Sequence, residues 1–306
     1  MADLKVDFGK FQLKNPVMTA SGTFGHGLEY SQFYDISRLG AVVVKGIRSV
    51  PSDGNPTPRV AEVTGGMLNA IGLQGPGLDK FLHDDHYLPG LKKTNAAVIV
   101  NIWGKTAEEY AEVAAGLEAE AANDIIALEI NISCPNVKAG GAAFGTDPKL
   151  AEQVISAVRQ ATKLPLITKL SPNVTSIAEF ARIAENCGSD AVSLINTLSA
   201  MAIDIETRRP KLANLTGGLS GPAVKPVAIK MVHDVYKAVK IPIIGMGGIT
   251  CGADAVEFLI AGATAVAVGT ANFVDPYAPL EVIDFINGYL DRHNMTLTEL
   301  TGSLNV

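Results

Sequence analysis

A short segment near the middle of the chain holds the side chains best suited to chemistry. It reads ALEINISCPNVKAGG, residues 127–141, and its apolar start predicts a buried strand. Where this strand gives way to a loop of small residues, the sequence presents Asn131, Ser133, Cys134 and Asn136. A thiol of lowered pKa can act as a base or a nucleophile, and side-chain amides offer paired donors and acceptors. Because loops on a rigid scaffold often carry function, we expect a reactive centre here.

A strand, a loop and a helix follow one another repeatedly along the chain. Eight short apolar runs predict strands, at residues 17–20, 41–45, 97–102, 125–132, 166–170, 191–195, 242–246 and 265–268. Segments of helical period lie among them, at residues 106–122, 148–161, 176–186, 225–239, 253–261 and 276–290. Alternation of this kind indicates a parallel sheet, and eight units close a (β/α)8 TIM barrel. An open doubly wound sheet is the alternative.

Two further features complete the predicted architecture. Residues 5–15 alternate apolar and polar side chains around Gly9, which predicts an N-terminal β-hairpin capping one end of the barrel. Residues 46–79 and 197–226 are long connections rich in proline and glycine, which we interpret as binding loops at the C-terminal face. No internal repeat or linker interrupts the chain, so residues 1–306 are expected to form a single domain.

Polar or glycine residues follow every predicted barrel strand. In chain order they are Ser21, Lys45, Asn101, Asn131 with Cys134, Lys169, Asn196 with Thr197, Gly247 with Gly248, and Gly269 with Thr270. Each has an ordinary structural explanation by itself, such as a solvated charge, a buried thiol or a tight turn. Eight consecutive strand ends of this kind favour an active site, since the carboxyl ends of barrel strands meet at one face.

Charge at these ends indicates the type of ligand. Two turns precede predicted helices, Gly247 with Gly248 after strand seven and Gly269 with Thr270 after strand eight, an arrangement that binds phosphate in many barrels. Lys45 and Lys169 are predicted to be buried and so to need anionic partners. A phosphorylated cofactor and an acidic substrate would supply them. No dinucleotide-binding fingerprint is present, so no NAD or FAD fold of its own is expected.

Composition excludes several classes of protein. A net charge of −6 and an isoelectric point near 5.4 disfavour nucleic acid as a partner. Charged residues interrupt the N-terminus and the most apolar window, so neither a signal peptide nor a membrane span is expected. Three cysteines without a CxxC pair predict no disulfide framework and no cysteine-bound metal. A cytoplasmic protein without a metal site is the expectation.

Histidines offer two weaker candidates. His83 and His86 flank two aspartates, a set that resembles a metal site by residue type alone. With no further ligand pattern nearby, a solvated loop is the preferred interpretation. His26 lies between two glycines and is interpreted as loop structure.

Long motifs in a fixed order extend over essentially the whole chain. They read NPVMTASGTFG, GNPTPR, GGMLNAIGLQGPG, NISCPNVKAGG, TKLSPNV, INTL, GGLSGPAVKP, IIGMGGI and AVAVGTANF. Together they resemble the dihydroorotate dehydrogenase family. That resemblance implies a (β/α)8 barrel with one FMN, which oxidises dihydroorotate to orotate in pyrimidine synthesis.

The resemblance also implies roles for individual residues. Cys134 matches the catalytic base of the soluble class, and Lys45 matches a lysine shared between flavin and substrate. Substrate contacts are matched by Asn69, Ala70, Ile71, Gly72, Leu73, Asn131, Asn196 and Thr197. Flavin contacts are matched by Ser21, Gly46, Asn101, Asn131, Lys169, Ile195, Gly221, Gly247, Gly248, Gly269 and Thr270. Gly140 and Gly141 are candidate hinges of a closing loop.

Within the soluble class, the GLQGPGL and GGLSGPAVKPVA segments look like the NAD-linked type. There a homodimer core joins a second protein carrying FAD and a [2Fe–2S] cluster, which makes a heterotetramer. The alternatives are a fumarate-linked homodimer, a flavin enzyme for another dihydropyrimidine, a non-redox barrel with Lys169 as a Schiff base, and a non-enzymatic binding partner.

Overall fold

The computed structural model describes residues 2–133 and 144–305, and eight parallel strands form its central barrel. In chain order the barrel strands are β3 (Val17–Thr19), β4 (Val42–Ile47), β7 (Val98–Ile102), β8 (Ala127–Asn131), β9 (Leu166–Lys169), β10 (Ala191–Leu194), β15 (Ile243–Met246) and β16 (Ala265–Val268). Their spatial order is β3-β16-β15-β10-β9-β8-β7-β4. A parallel bridge between Met18 and Ala41 joins the two ends of the sheet. The predicted barrel is therefore confirmed.

Helices cover the outside of this barrel. The described α-helices are α1 (Leu78–His83), α2 (Leu88–Lys92), α3 (Ala107–Ala121), α4 (Pro148–Ala161), α5 (Ile177–Asn186), α6 (Lys225–Tyr236), α7 (Gly252–Ala261), α8 (Ala271–Val274), α9 (Ala278–His293) and α10 (Leu297–Leu300). The start of α4 shows why the sequence folds this way: Asp147 accepts hydrogen bonds from the N–H groups of Lys149 and Leu150, and Pro148 takes the first helical position. In its described part, the chain has no helix long and apolar enough to cross a membrane.

The N-terminal hairpin covers the lower end of the barrel, where the barrel strands begin. Strands β1 (Val6–Asp7) and β2 (Gln12–Leu13) pair antiparallel, as the alternation predicts. Phe8 and Phe11 stack at the turn, and the Lys10 ammonium lies 2.9 Å from the Asp190 carboxylate at the start of β10. The hairpin therefore packs at the end opposite the predicted site.

The two long connections fold together, which the sequence did not indicate. They supply a four-stranded antiparallel sheet in the order β11-β14-β6-β5, from β5 (Val60–Val63), β6 (Gly66–Asn69), β11 (Leu198–Ala200) and β14 (Gly217–Ser220). A separate two-stranded hairpin of β12 (Ile203–Asp204) and β13 (Arg209–Pro210) lies between β11 and β14 in the chain. The pairing of β6 with β14 joins residues about 150 positions apart, Asn69 with Gly218 among them. A small apolar core of its own, from Leu68, Ala70 and Leu212, supports this sheet.

One helix boundary differs from the prediction. The turn at Gly269 and Thr270 leads into the separate short helix α8, and the long helix α9 begins only at Ala278. Asp275 separates them and accepts a hydrogen bond from the Tyr277 N–H. The Asp-Pro pair at residues 275–276 therefore divides two helices instead of opening the last one.

Candidate active site

A deep cavity opens at the carboxyl ends of the barrel strands. Its volume is about 470 Å³, within the range that holds a cofactor or a drug-sized ligand. Barrel strand ends form the floor, and the four-stranded sheet forms a wall through Val60, Met67, Asn69 and Leu219. The long connections therefore line the cavity as a folded sheet.

Nearly all the predicted site residues that the structure describes line this cavity. They are Ser21, Lys45, Gly46, Asn69, Ile71, Gly72, Leu73, Asn101, Asn131, Lys169, Ile195, Asn196, Thr197, Gly221, Gly247, Gly248, Gly269 and Thr270. Ala70 is instead fully buried, and its carbonyl accepts a hydrogen bond from Asn55. Cys134, Gly140 and Gly141 lie outside the described residues, although Asn131 shows that strand β8 ends at the cavity.

A buried ion pair lies at the cavity floor. Lys169 ends β9 with only 4% of its surface exposed, and its ammonium is 3.9 Å from the carboxylate of Glu129. The ammonium also donates a hydrogen bond to the Ser21 hydroxyl at 3.2 Å. The sequence predicts that both lysines need ligand anions as partners. For Lys169 that prediction is wrong, because Glu129 supplies an anion from the protein itself.

Lys45 lies in a different environment. It is half-buried at the cavity, and no ion pair engages its ammonium among residues 2–133 and 144–305. Burial and the positive charge of Arg59 both lower the pKa of this ammonium, while Glu29 acts in the opposite direction. Lys45 is therefore the cation best placed to take an anionic group from a ligand.

A row of hydrogen bonds crosses the floor between the asparagines. Asn196 donates to the Ser133 hydroxyl at 2.8 Å, and that hydroxyl lies 3.2 Å from the side-chain oxygen of Asn131, to which it donates. Asn131 donates to the side-chain oxygen of Asn101 at 3.3 Å, and Asn101 donates to Glu129 at 2.6 Å. The asparagines are thus held in fixed orientations at the cavity surface.

Glycine turns form the far side of the cavity. Gly247 and Gly248 adopt φ values of +127° and +79°, which side chains rarely tolerate. A Cβ on Gly248 would lie 2.8 Å from the Lys225 Cβ and 2.9 Å from the Gly221 carbonyl oxygen. Both glycines line the cavity, so this turn presents backbone instead of side chains to the cavity.

The first turn of α7, by contrast, is capped by the chain itself. Asp254 accepts hydrogen bonds from the N–H groups of Thr250 and Cys251 and pairs with Lys225 at 2.6 Å. Although burial opposes ionisation, these contacts lower the Asp254 pKa to about 2. The helix terminus that the sequence suggests for phosphate therefore already holds a carboxylate of the chain itself, whereas the glycine turn that precedes it lines the cavity.

Glu129 is the residue of the cavity-floor hydrogen-bond row that the sequence analysis missed. It is 2% exposed, sits between Leu128 and Ile130, and accepts a hydrogen bond from Ser193 at 2.8 Å. A strand places residues two apart on one face, so Glu129 shares the barrel interior with Asn131. The sequence feature that could have identified Glu129 is therefore a carboxylate inside an otherwise apolar strand. Other unpredicted lining residues include Ala20, Thr23, Ser220, Val224, Met246 and Phe273.

The weaker candidates lie away from the cavity floor. His83 and His86 are exposed and contact Glu120 and Asp84. The described residues contain no group of three or more His, Cys, Asp or Glu side chains able to hold a metal. His26 packs edge-on against Tyr87, and burial lowers the pKa of His26 to about 4. Cys187 is half-buried and Cys251 is exposed.

Comparison with known proteins agrees with this geometry. The family model described as dihydroorotate dehydrogenase matches residues 3–290. A relative from Alkaliphilus metalliredigens is 55% identical over 303 residues, 99% of both chains, and one from Geobacter metallireducens is 55% identical over 305 residues, also 99% of both. A third, from Geotalea uraniireducens, is 54% identical over 99% of this chain and 98% of its own. All three carry the name dihydroorotate dehydrogenase B (NAD(+)), catalytic subunit. The chain belongs to the dihydroorotate dehydrogenase family.

Proposed function

We propose that this protein oxidises dihydroorotate to orotate in pyrimidine synthesis, with FMN as its cofactor. The observation that carries the proposal is the set of groups around one cavity: two ammonium groups, a row of oriented amides and a glycine turn at the ends of barrel strands. Relatives with 53–55% identity bear the name of this enzyme's catalytic subunit. Both observations support the same substrate class.

The residues present fit FMN. The backbone at Gly247, Gly248, Gly269 and Thr270 would hold the phosphate, since all four residues line the cavity and the first two turn there at positive φ. Lys169, Ser21 and Asn101 would lie along the isoalloxazine ring, with Lys169 supplying positive charge. When bound, FMN supplies the hydride acceptor that these side chains lack. Fixed positive charge where negative charge develops is a large catalytic term in many enzymes.

The chain's own residues would bind and deprotonate the substrate. Lys45 would pair with the carboxylate of dihydroorotate, and Asn69, Asn131 and Asn196 would hydrogen-bond the amides and carbonyls of its ring. Cys134 as a thiolate would take the proton from C5 while the hydride leaves C6. Loss of one proton and one hydride gives orotate.

We further propose NAD⁺ as the final acceptor, reached through a second protein. The relatives' shared name specifies NAD(+) and a catalytic subunit. The expected assembly is a homodimer of this chain with an electron-transfer subunit that carries FAD and a [2Fe–2S] cluster. The reaction would take place in the cytoplasm, where the sparse cysteines of this chain stay reduced.

The role of Cys134 is tested by C134A in rapid-mixing experiments. FMN should remain bound, and flavin reduction by dihydroorotate at neutral pH should slow roughly 10²–10⁴-fold, the usual contribution of general base catalysis. C187A is the matched control, because Cys187 caps the end of α5 and does not line the cavity. Reduction by C134A at the wild-type rate would refute the assignment of the base.

A further inference from the structure

The hydrogen bonds across the cavity floor all run in one direction, toward Glu129. Four successive donors, Asn196, Ser133, Asn131 and Asn101, each give a hydrogen to the next residue in the row. At the near end, Asn196 accepts a hydrogen bond from the Thr197 N–H at 2.8 Å, which fixes its carbonyl as the acceptor. The row therefore has a single polarity from Thr197 to Glu129.

We propose that Glu129 is a positioning residue that fixes the orientation of Asn101 and so completes the set of donors and acceptors that the cavity offers to a ring ligand. A carboxylate paired with an ammonium only accepts hydrogen bonds, and Lys169 lies 3.9 Å away. Asn101 must then turn its NH₂ group to Glu129 and its carbonyl to Asn131. Asn131 must in turn donate to Asn101 and accept from Ser133.

The position of Glu129 explains how this polarity could affect a ligand that Glu129 does not contact. Glu129 itself does not line the cavity, whereas Asn101, Asn131 and Asn196 all do. An asparagine can present either its carbonyl or its amine, and a ring with fixed amide and carbonyl groups pairs with one arrangement only. Glu129 would thus act through its neighbours on ligand selection, which deepens the proposed function and rests on it for the identity of the ligand.

Replacement by glutamine removes the constraint with little change of shape. In E129Q the side-chain amide can donate as well as accept, so Asn101 could reverse and turn its NH₂ group toward that of Asn131, whose carbonyl the Ser133 N–H also holds. A row divided between Asn101 and Asn131 leaves an unpaired donor under the ligand. We expect orotate to bind the FMN-loaded E129Q protein roughly tenfold more weakly or worse, measured by perturbation of the flavin absorption.

Two further variants distinguish an effect on the direction of the hydrogen bonds from the loss of any one hydrogen bond to Glu129. S193A removes another donor to the same carboxylate but leaves the direction of the row unchanged, and orotate affinity should fall less than about threefold. E118Q makes the same chemical change on α3, where Glu118 accepts from the N–H groups of Lys163 and Leu164 before β9, and should bind orotate as wild type does. Equal losses in S193A and E129Q, or unchanged binding in E129Q, would overturn the proposal.

A second measurement does not depend on orotate. Neutron diffraction from crystals of the FMN-loaded protein should place the Nδ2 deuterons of Asn101 on the Glu129 side and those of Asn131 on the Asn101 side. A carbonyl of Asn101 facing Glu129 would overturn the proposal. If the wild-type holoprotein binds no orotate, the proposed function fails separately, and this neutron map still decides the role of Glu129.

Discussion

At the scale of the residue, the two lysines of the site differ in what neutralises them. Lys169 is buried against Glu129 and the Ser21 hydroxyl, so its charge belongs to the protein's own network. Lys45 is half-buried with a lowered pKa, and burial is the main cause. An ammonium in that state gains from an incoming carboxylate, because the anion replaces lost hydration. We therefore assign substrate charge recognition to Lys45.

The K45M variant tests this assignment through orotate binding. Loss of a charge-assisted hydrogen bond typically costs about 1.5–3 kcal/mol, so affinity should fall by about one to two orders of magnitude. K230M is the control, since Lys230 pairs with Asp234 on an exposed helix face. Titration of the flavin absorption with orotate measures both. A K45M affinity equal to that of K230M would remove Lys45 from the substrate site.

The same lysine implies a direction of pH dependence. Lys45 carries its charge below its folded-state pKa, so orotate binding through this ammonium is fully present at lower pH and is lost as pH rises through that pKa. Because burial lowers the pKa, the loss should begin at lower pH than for an ordinary lysine. Orotate titrations over an alkaline series should show this decline in wild type and lack its Lys45 component in K45M.

At the scale of the element, backbone conformation and cap hydrogen bonds position the glycine-turn side of the cavity, where we propose that the phosphate binds. Gly248 adopts a positive φ beside the Gly221 carbonyl, and Asp254 fixes the start of α7 just beyond it. Neither feature depends on a ligand. The turn is therefore preformed, and disturbing its geometry should affect cofactor binding before it affects the rest of the barrel.

G248A should bind FMN more weakly and unfold more easily. The added Cβ would meet the Lys225 Cβ at 2.8 Å, and the positive φ adds strain of about 1 kcal/mol or more. The control is G288A in α9, where the nearest atom is the flexible Arg292 side chain at 3.4 Å and alanine should stabilise the helix slightly. Equilibrium dialysis of FMN and thermal unfolding report the two effects. Wild-type FMN affinity in G248A would contradict the assigned turn.

D254N tests the cap of α7 by denaturant unfolding. Losing the charged acceptor of the Thr250 and Cys251 N–H groups and the partner of Lys225 should cost about 1–2 kcal/mol near neutral pH. The folded-state pKa of Asp254 is lowered to about 2, so its contribution is present above pH 4 and is lost as pH falls toward 2. The difference between wild type and D254N should therefore shrink in that acid range; a constant difference would contradict the assigned pKa.

Periodicity explains why the barrel could be predicted and the second sheet could not. Each barrel strand is a largely apolar run because both of its faces are buried, so the eight units are visible in the sequence. The strands of the second sheet have three or four residues, and the pairing of β6 with β14 joins residues about 150 positions apart. Glu129 was missed for a related reason. Its contacts are with side chains of other strands that only the closed barrel brings together, namely Asn101, Lys169 and Ser193.

At the scale of the whole molecule, the hairpin, the barrel and the second sheet have different structural roles. The hairpin covers the lower end, the barrel fixes the charged and amide groups, and the sheet encloses the ligand side. The account therefore depends on one central claim, that this cavity holds a flavin which takes two electrons from dihydroorotate.

That claim is tested most directly by the visible spectrum of the purified protein before and after anaerobic addition of dihydroorotate. We expect the absorption of bound FMN, at about one per chain, and its bleaching as orotate forms in equal amount. A colourless protein that cannot be loaded with FMN, or a flavin spectrum that dihydroorotate leaves unchanged, would contradict the account.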